Sequence, residues 1–346
     1  MMTQMWLEIS EQPKALENCM LQNKDTLEAI VTKLKEKDIQ NVIIAARGTS
    51  DHAAVYAKYL IETKLGIPVA LAAPSVFTLY NKSLVMKNSL VIGVSQSGRA
   101  EDVIEVIKSA KAQGAPTVAI TNHDDSPLAQ QAEFHLYCAT GVEKSVAATK
   151  TFTAQIYLLA HLVAFWSQDE AFKKELAEVP SLIAKTIAGV DQIKNKVARY
   201  RFMSECFVLA RGANYSIALE SALKVQETCY IRAKAYATSD FHHGPFAMID
   251  DHMPVLIYAP KGESLKDITE MIGKLKNAGA DLLIVSNDAA TLALADCAIE
   301  IPDVANDFIT PFMNVVVGQM FACNLSVLRG LNPDSPRGLS KVTITR

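Results

Sequence analysis

The sequence has no paired cysteines and almost no excess of either charge. Its six cysteines (Cys19, Cys138, Cys206, Cys229, Cys297 and Cys323) stand singly, with no C-x-x-C pair and no metal-binding spacing. Most lie in apolar runs, which predicts buried, reduced thiols and argues against a disulfide-stapled scaffold. The net charge is only −3, so nothing in bulk attracts the chain to nucleic acid or an anionic membrane. An anionic ligand would need a local site. The N-terminus lacks the basic-then-apolar pattern of a leader, and a cytoplasmic location is expected. Long apolar runs are also scarce. Residues 154–166 are too few to span a bilayer and include His161; residues 309–328 carry Pro311, Asn314, Gln319 and Asn324. A spanning helix needs about 20 predominantly apolar residues. Both segments therefore read as core or subunit-interface helices, not as membrane spans.

With 346 residues the chain is too long for one ordinary core and suits two domains. Short β-branched runs alternate with segments of helical period. The strand candidates are 41–46, 69–72, 90–94, 117–121 and 134–138 in the first half, and 206–210, 254–258, 282–286 and 297–301 in the second. They show little alternation, as expected for strands covered on both faces. The predicted fold class is α/β, with two tandem subdomains, each a mainly parallel sheet between helices. The expected boundaries are a helical segment over 1–35, a first domain over 36–166, a helical connector over 167–200, a second domain over 201–330 and a tail over 331–346.

An internal repeat supports the tandem reading. Ala46-Arg47-Gly48 recurs as Ala210-Arg211-Gly212, and residues 73–77 fall on 237–241, both 164 positions on. Gly98 falls on Gly262 at the same offset, and Asn122 on Asn287 one position further. Differences between two such copies mark where each has specialised.

The first copy carries hydroxyl-rich turns at strand ends. Ser95-Gln96-Ser97-Gly98-Arg99 follows the third strand and precedes a helical pattern; Arg47-Gly48-Thr49-Ser50 does the same after the first. Free N–H groups and the positive end of the helix dipole favour an anion there, and Gly98 lets the backbone approach closely. Each turn alone could be an ordinary helix cap. Two at corresponding strand ends favour a phosphate cradle, and in the second copy the turn reads Ala259-Pro260-Lys261-Gly262, without hydroxyls. The loop Lys144-Ser145-Val146-Ala147-Ala148-Thr149-Lys150 offers backbone groups near Val146 for sugar hydroxyls, or is a solvated basic loop.

The second copy carries the ionisable row. Glu220, Lys224 and Glu227 are spaced i, i+4, i+7 and project within roughly 60° on a helix. The equivalent positions in the first copy are Tyr56, Leu60 and Thr63. An exposed ion-paired helix would show the same spacing, but the neighbours Ala218, Leu219, Ala222, Leu223 and Val225 are small or apolar. Downstream, His242-His243-Gly244-Pro245 places a histidine, the side chain suited to proton transfer near neutral pH, beside a fixed turn. Adjacent histidines point apart, so no metal site is expected.

At these residues the sequence resembles the sugar isomerase (SIS) family, in the form of the isomerase half of glucosamine-6-phosphate synthase and its single-module relatives. The resemblance runs through Glu8-Ile9, Glu11-Gln12-Pro13, Gly48-Thr49-Ser50, Ser95-Gln96-Ser97-Gly98, Val146-Ala147, Thr149-Lys150, Ala218-Leu219-Glu220, Ala222-Leu223-Lys224, Glu227, His243-Gly244-Pro245, Pro336-Arg337, Leu339 and Lys341. It implies two flavodoxin-like SIS subdomains and a homodimer with shared active sites. It further implies phosphate binding by Thr49, Ser50, Ser95, Gln96 and Ser97, and proton transfer between C1 and C2 by Glu227. His243 from a neighbouring subunit would open the sugar ring, and Lys341 in the tail would contact the open-chain sugar. Arg47, Arg99, Val146, Lys224 and Glu220 are expected beside the substrate, and no cofactor is implied. Arg99 and Ala100 stand where the synthases have an acidic residue and a threonine, and Ala148 where they have a serine. Both departures look like the single-module aminosugar-phosphate deaminases of the family. The expected activity is glucosamine-6-phosphate deamination. A fructosamine-6-phosphate deglycase or another aldose–ketose isomerase is the alternative. A non-catalytic sugar-phosphate sensor would not need Glu227, His243 and Lys341 together.

Overall fold

A computed structural model of the chain describes residues 3–341. The last five residues of the expected tail lie outside the described residues. Two compact units form, neither of them continuous in sequence. One comprises residues 11–143, 148–180 and the chain from 340; the other comprises the start of the chain to residue 10, residues 144–147 and 181–339.

The first unit is built on a parallel sheet of β1 (Asn41–Ala45), β2 (Val69–Leu71), β3 (Ser89–Val94), β4 (Thr117–Thr121) and β5 (Phe134–Tyr137). Their order is β2-β1-β3-β4-β5. β1 and β3 lie side by side, with Ile44 against Ile92 and Ala45 against Gly93. Ile43, Ala45 and Val91 point towards the helix Glu101–Ala112, whose Val103, Val106, Ile107 and Ala110 recur at i, i+3, i+4 and i+7 and close that face. The alternate residues Val42, Ile44, Leu90 and Ile92 are equally buried. The helices Gln12–Lys35, Thr49–Leu65 and Lys150–Trp166 pack against one another in the same unit. Burial on both faces explains why these strands read as continuous apolar runs.

The second unit repeats the plan. β6 (Glu205–Ala210), β7 (Arg232–Ala237), β8 (Pro254–Tyr258), β9 (Asp281–Ser286) and β10 (Cys297–Glu300) form a parallel sheet in the order β10-β9-β8-β6-β7. Relabelled by repeat, this is the same 2-1-3-4-5 order, the flavodoxin-like winding. β7 is absent from the sequence-based strand set. It is an edge strand that alternates exposed Arg232 and Lys234 with buried Ala233, the charged pattern that guards a sheet edge.

Both apolar segments are core helices. Lys150–Trp166 is buried along almost its whole length. Thr310–Leu328 is long and apolar enough to cross a bilayer, but it is largely buried inside the protein. It packs on the helix Tyr215–Cys229, where Gly318 leaves room for the Ser221 hydroxyl and the Tyr258 phenol, which hydrogen-bond to each other at 2.6 Å.

Candidate functional site

In sheets of this winding, ligands bind beyond the carboxyl ends of the strands, where neighbouring connections diverge. In the first unit that place lies between β1 and β3. The turn after β3 is tight. Gly98 has φ +62°, and a Cβ there would collide with the Ser126 side chain. The hydroxyls of Ser95 and Ser97 accept the N–H groups of Gly98 (3.2 Å) and Arg99 (3.3 Å). The same atoms that would greet an anion thus also hold the turn. After β1, Gly48 (φ +55°) precedes the helix Thr49–Leu65. Ser50 is buried and its hydroxyl accepts from Gln155 Nε2 at 3.0 Å. Arg47 is drawn to one side: its Nε donates to Asp102 Oδ2 at 2.7 Å, a carboxylate buried at the start of the Glu101–Ala112 helix.

A cavity of about 670 Å³ opens beside the β3 turn. Of the expected site residues it collects Gln96, Ser97, Arg99 and Lys341; Thr49, Ser50 and Ser95 do not line it. Its wall adds Glu101, His123, Tyr137, Val142 and Glu143, none of which stood out in the sequence. Arg99 is exposed. Glu143 has the most partners of these. Its side chain is fully buried, and it accepts Lys341 Nζ at 2.8 Å. It also accepts the N–H groups of Thr149 (2.9 Å) and Thr151 (3.1 Å) and the Thr151 hydroxyl (2.8 Å). Burial by itself would raise the Glu143 pKa. The Lys341 ammonium and the Thr149 and Thr151 donors outweigh it and hold the carboxyl below its usual range.

In the second unit the row on Tyr215–Cys229 is a buried ion triad. Lys224 is fully buried, 3.2 Å from Glu220 Oε1 and 2.5 Å from Glu227 Oε2. Glu220 is also fully buried, while Glu227 keeps 20% of its side chain exposed. Burial would favour neutral Lys224, but the two carboxylates hold it protonated, above the usual lysine range. Tyr56 and Leu60, at the equivalent positions of the first unit, are simply buried. His243 lies on an exposed turn, its N–H bonded to Asp240 O at 3.0 Å. The neighbouring His242 ring stacks on Phe246. Val146 donates its N–H to Asp334 O at 3.0 Å, so one of the backbone groups expected to meet a sugar is already bonded.

The second unit's counterpart of the β3 turn is closed by its own chain. The Asp307 carboxylate sits against Gly262 (φ +142°), where a Cβ would strike it, and accepts the Ser264 N–H at 3.3 Å. Burial raises the Asp307 pKa against these hydrogen bonds. A carboxylate already in place at the start of the helix Leu265–Asn277 leaves no room for a second anion there. Among the described residues no group of three His, Cys, Asp or Glu is arranged to hold a metal ion.

Two doubly wound repeats, with a tight hydroxyl-bearing turn after β3 in one and a buried ion triad in the other, define a tandem α/β protein of the flavodoxin-like winding. Residues 33–164 and 204–329 each match the SIS domain, and the chain belongs to that family. It is 37% identical over 341 residues to the isomerizing glutamine–fructose-6-phosphate aminotransferase of Aquifex aeolicus, covering 98% of this chain and 57% of that protein. The corresponding enzyme of Pyrococcus horikoshii is 32% identical, covering 96% of this chain and 56% of the relative. The chain therefore spans little more than half the length of these relatives. Among solved structures, the C-terminal domain of glucosamine-fructose-6-phosphate aminotransferase from Francisella tularensis superposes with a TM-score of 0.86 at 26% identity, covering 97% of this chain and 99% of that one.

Proposed function

We propose that the chain is a glucosamine-6-phosphate deaminase that converts the aldose and water to fructose 6-phosphate and ammonia. The observation that carries the reading is the triad of Glu220, Lys224 and Glu227, in which one carboxylate keeps a solvent-facing edge while its cation is wholly buried. A row without such an edge would be only structural. In this reading the phosphate sits at the β3 turn, held by Ser95, Gln96 and Ser97 with Thr49 and Ser50, and Arg99 adds a cation where the cavity opens. His243 opens the sugar ring. Glu227 takes the C2 proton of the open-chain aldose, since the C1 carbonyl makes that proton acidic. The resulting enolamine is protonated at C1 and becomes the C2 imine, which water hydrolyses with loss of ammonia. Low ammonia favours this direction by mass action. The relatives are named as isomerizing, so aldose–ketose isomerisation without ammonia loss is the second reading.

The deciding experiment is incubation with a panel of 6-phosphosugars, scoring ammonia and ketose together. Ammonia from glucosamine 6-phosphate supports deamination; ketose without ammonia supports the second reading. We also propose a homodimer with shared sites, because His243 projects from an exposed turn. Mixing Glu227→Gln with His243→Ala chains should then restore activity. No recovery after demonstrated subunit exchange would exclude sharing.

A further inference from the structure

Glu143 belongs to no part of the reaction described so far, yet it is the most heavily bonded carboxylate on the cavity wall. Three pieces of chain meet on it: its own loop, the start of the helix Lys150–Trp166 through Thr149 and Thr151, and the C-terminal segment through Lys341. Glu143 and Lys341 lie 198 positions apart in sequence. We propose that Glu143 is a positioning residue that docks the Lys341 ammonium, and the tail that carries it, against the wall of the phosphosugar cavity.

The physical case has two parts. A lysine has a long, rotamer-rich side chain and loses much entropy when held in one place. An exposed partner offsets little of that loss, because surface ion pairs are weak. A buried carboxylate with fixed donors on its other lone pairs is different. It is already desolvated and oriented, so the incoming ammonium meets a preorganised charge. Glu143 is such a group, fully buried and fixed by the Thr149 and Thr151 donors, whereas Lys341 keeps 26% of its side chain exposed towards the cavity. The arrangement leaves part of the ammonium facing the ligand space while its position is set from behind. It also makes the helix start and the tail share one anchor, so movement of the loop at 141–143 would carry Lys341 with it. The inference rests on reading this cavity as the phosphosugar site, but its first test does not.

The test pairs Glu143→Gln with Glu143→Asp. Gln keeps a carbonyl oxygen for the Thr149 and Thr151 donors and removes the charge that holds Lys341; Asp keeps the charge. The first readout uses the full-length protein without substrate: limited trypsin digestion, followed by intact mass, for cleavage after Lys341. A lysine engaged by Glu143 is withheld from the protease. Glu143→Gln should be cut there at least about tenfold faster than wild type, with Glu143→Asp largely protected. Cleavage of the Gln variant at the wild-type rate, or equal loss of protection in both variants, would assign Glu143 to helix capping alone and overturn the proposal. The second readout is a double-mutant cycle in kcat/KM with Lys341→Met. If Glu143 acts through Lys341, Glu143→Gln costs activity in the wild-type background and nothing further in Lys341→Met; multiplicative losses overturn it. Because the digestion needs no substrate, a positive digestion result in a protein that releases no ammonia would sink the deaminase reading and leave this one standing. The reverse pattern would do the opposite.

Discussion

Lys224 and Glu227 meet at 2.5 Å on one helix, the lysine wholly buried and the glutamate at the edge of solvent. The cation is fixed by burial, and the carboxylate is the member that keeps a solvent-facing edge. Glu227→Gln preserves shape but cannot accept a proton. Loss of a general base lowers rate by about two to four orders of magnitude. The expected result is that fall in kcat, with folding intact and phosphosugar binding largely kept, and with solvent exchange at C2 of the substrate abolished. Exchange at the wild-type rate would remove Glu227 from the mechanism.

The triad also has a stability signature. Removing one partner of a buried ion pair strands the other and costs about 3–5 kcal/mol. Lys224→Met takes the Lys224 ammonium away from a fully buried Glu220, and the unfolding free energy in urea should drop by that order. Adding Glu220→Leu should recover most of the loss. A double variant no more stable than Lys224→Met would mean the burial around Glu220 is not what makes the single change costly.

At the β3 turn, Gly98→Ala combines two penalties. Its φ of +62° disfavours any side chain, and the added carbon strikes Ser126. A left-handed non-glycine residue costs roughly 1–2 kcal/mol before any collision. The variant should be less stable by at least that much and bind phosphosugar poorly. Ser97→Ala should fold normally and raise KM about tenfold, since a hydrogen bond to a charged group contributes about 1.5–3 kcal/mol. An unchanged KM would reduce the turn to a helix cap.

His161 provides a pH test. Buried in the Lys150–Trp166 helix and edge-on to Tyr157 at 4.4 Å, it has no hydrogen-bond partner for either ring nitrogen among the described residues. Burial first, then the charge of Lys173, lowers its pKa to about 4 from the usual 6.5. The folded state thus binds fewer protons than the unfolded one. Stability from this group is fully present above pH 6.5 and is lost as pH falls towards 4, about 3 kcal/mol across the window. Urea unfolding at pH 7 and pH 4.5 should show the decline in wild type and a smaller one in His161→Leu. Equal declines would assign the acid sensitivity elsewhere.

Much of this molecule was legible in the sequence because the governing signals are local or periodic. Among the described residues, nine of the ten strands coincide with short apolar runs, and the central ones, β1, β3, β4, β6, β8 and β9, are buried on both faces, which demands apolar residues throughout. β7 escaped because Arg232 and Lys234 interrupt its apolar residues, although residues 69–71 shifted by the repeat offset of 164 fall inside Arg232–Ala237. The i, i+4, i+7 spacing alone puts Glu220, Lys224 and Glu227 on one face, and the lost hydroxyls around Gly262 signal that the second turn has changed.

What filled that turn was decided only by the tertiary structure. Asp307 lies 45 positions from Gly262, and no period or motif links them. The same holds for Arg47 with Asp102 and for Lys341 with Glu143, which are 55 and 198 positions apart. Secondary structure and the chemistry of each turn follow from neighbours along the chain, so sequence alone determines them. Which charge finds which partner depends on strands and helices closing around a common core, and on burial that makes an unpaired charge costly. Only the assembled fold settles that.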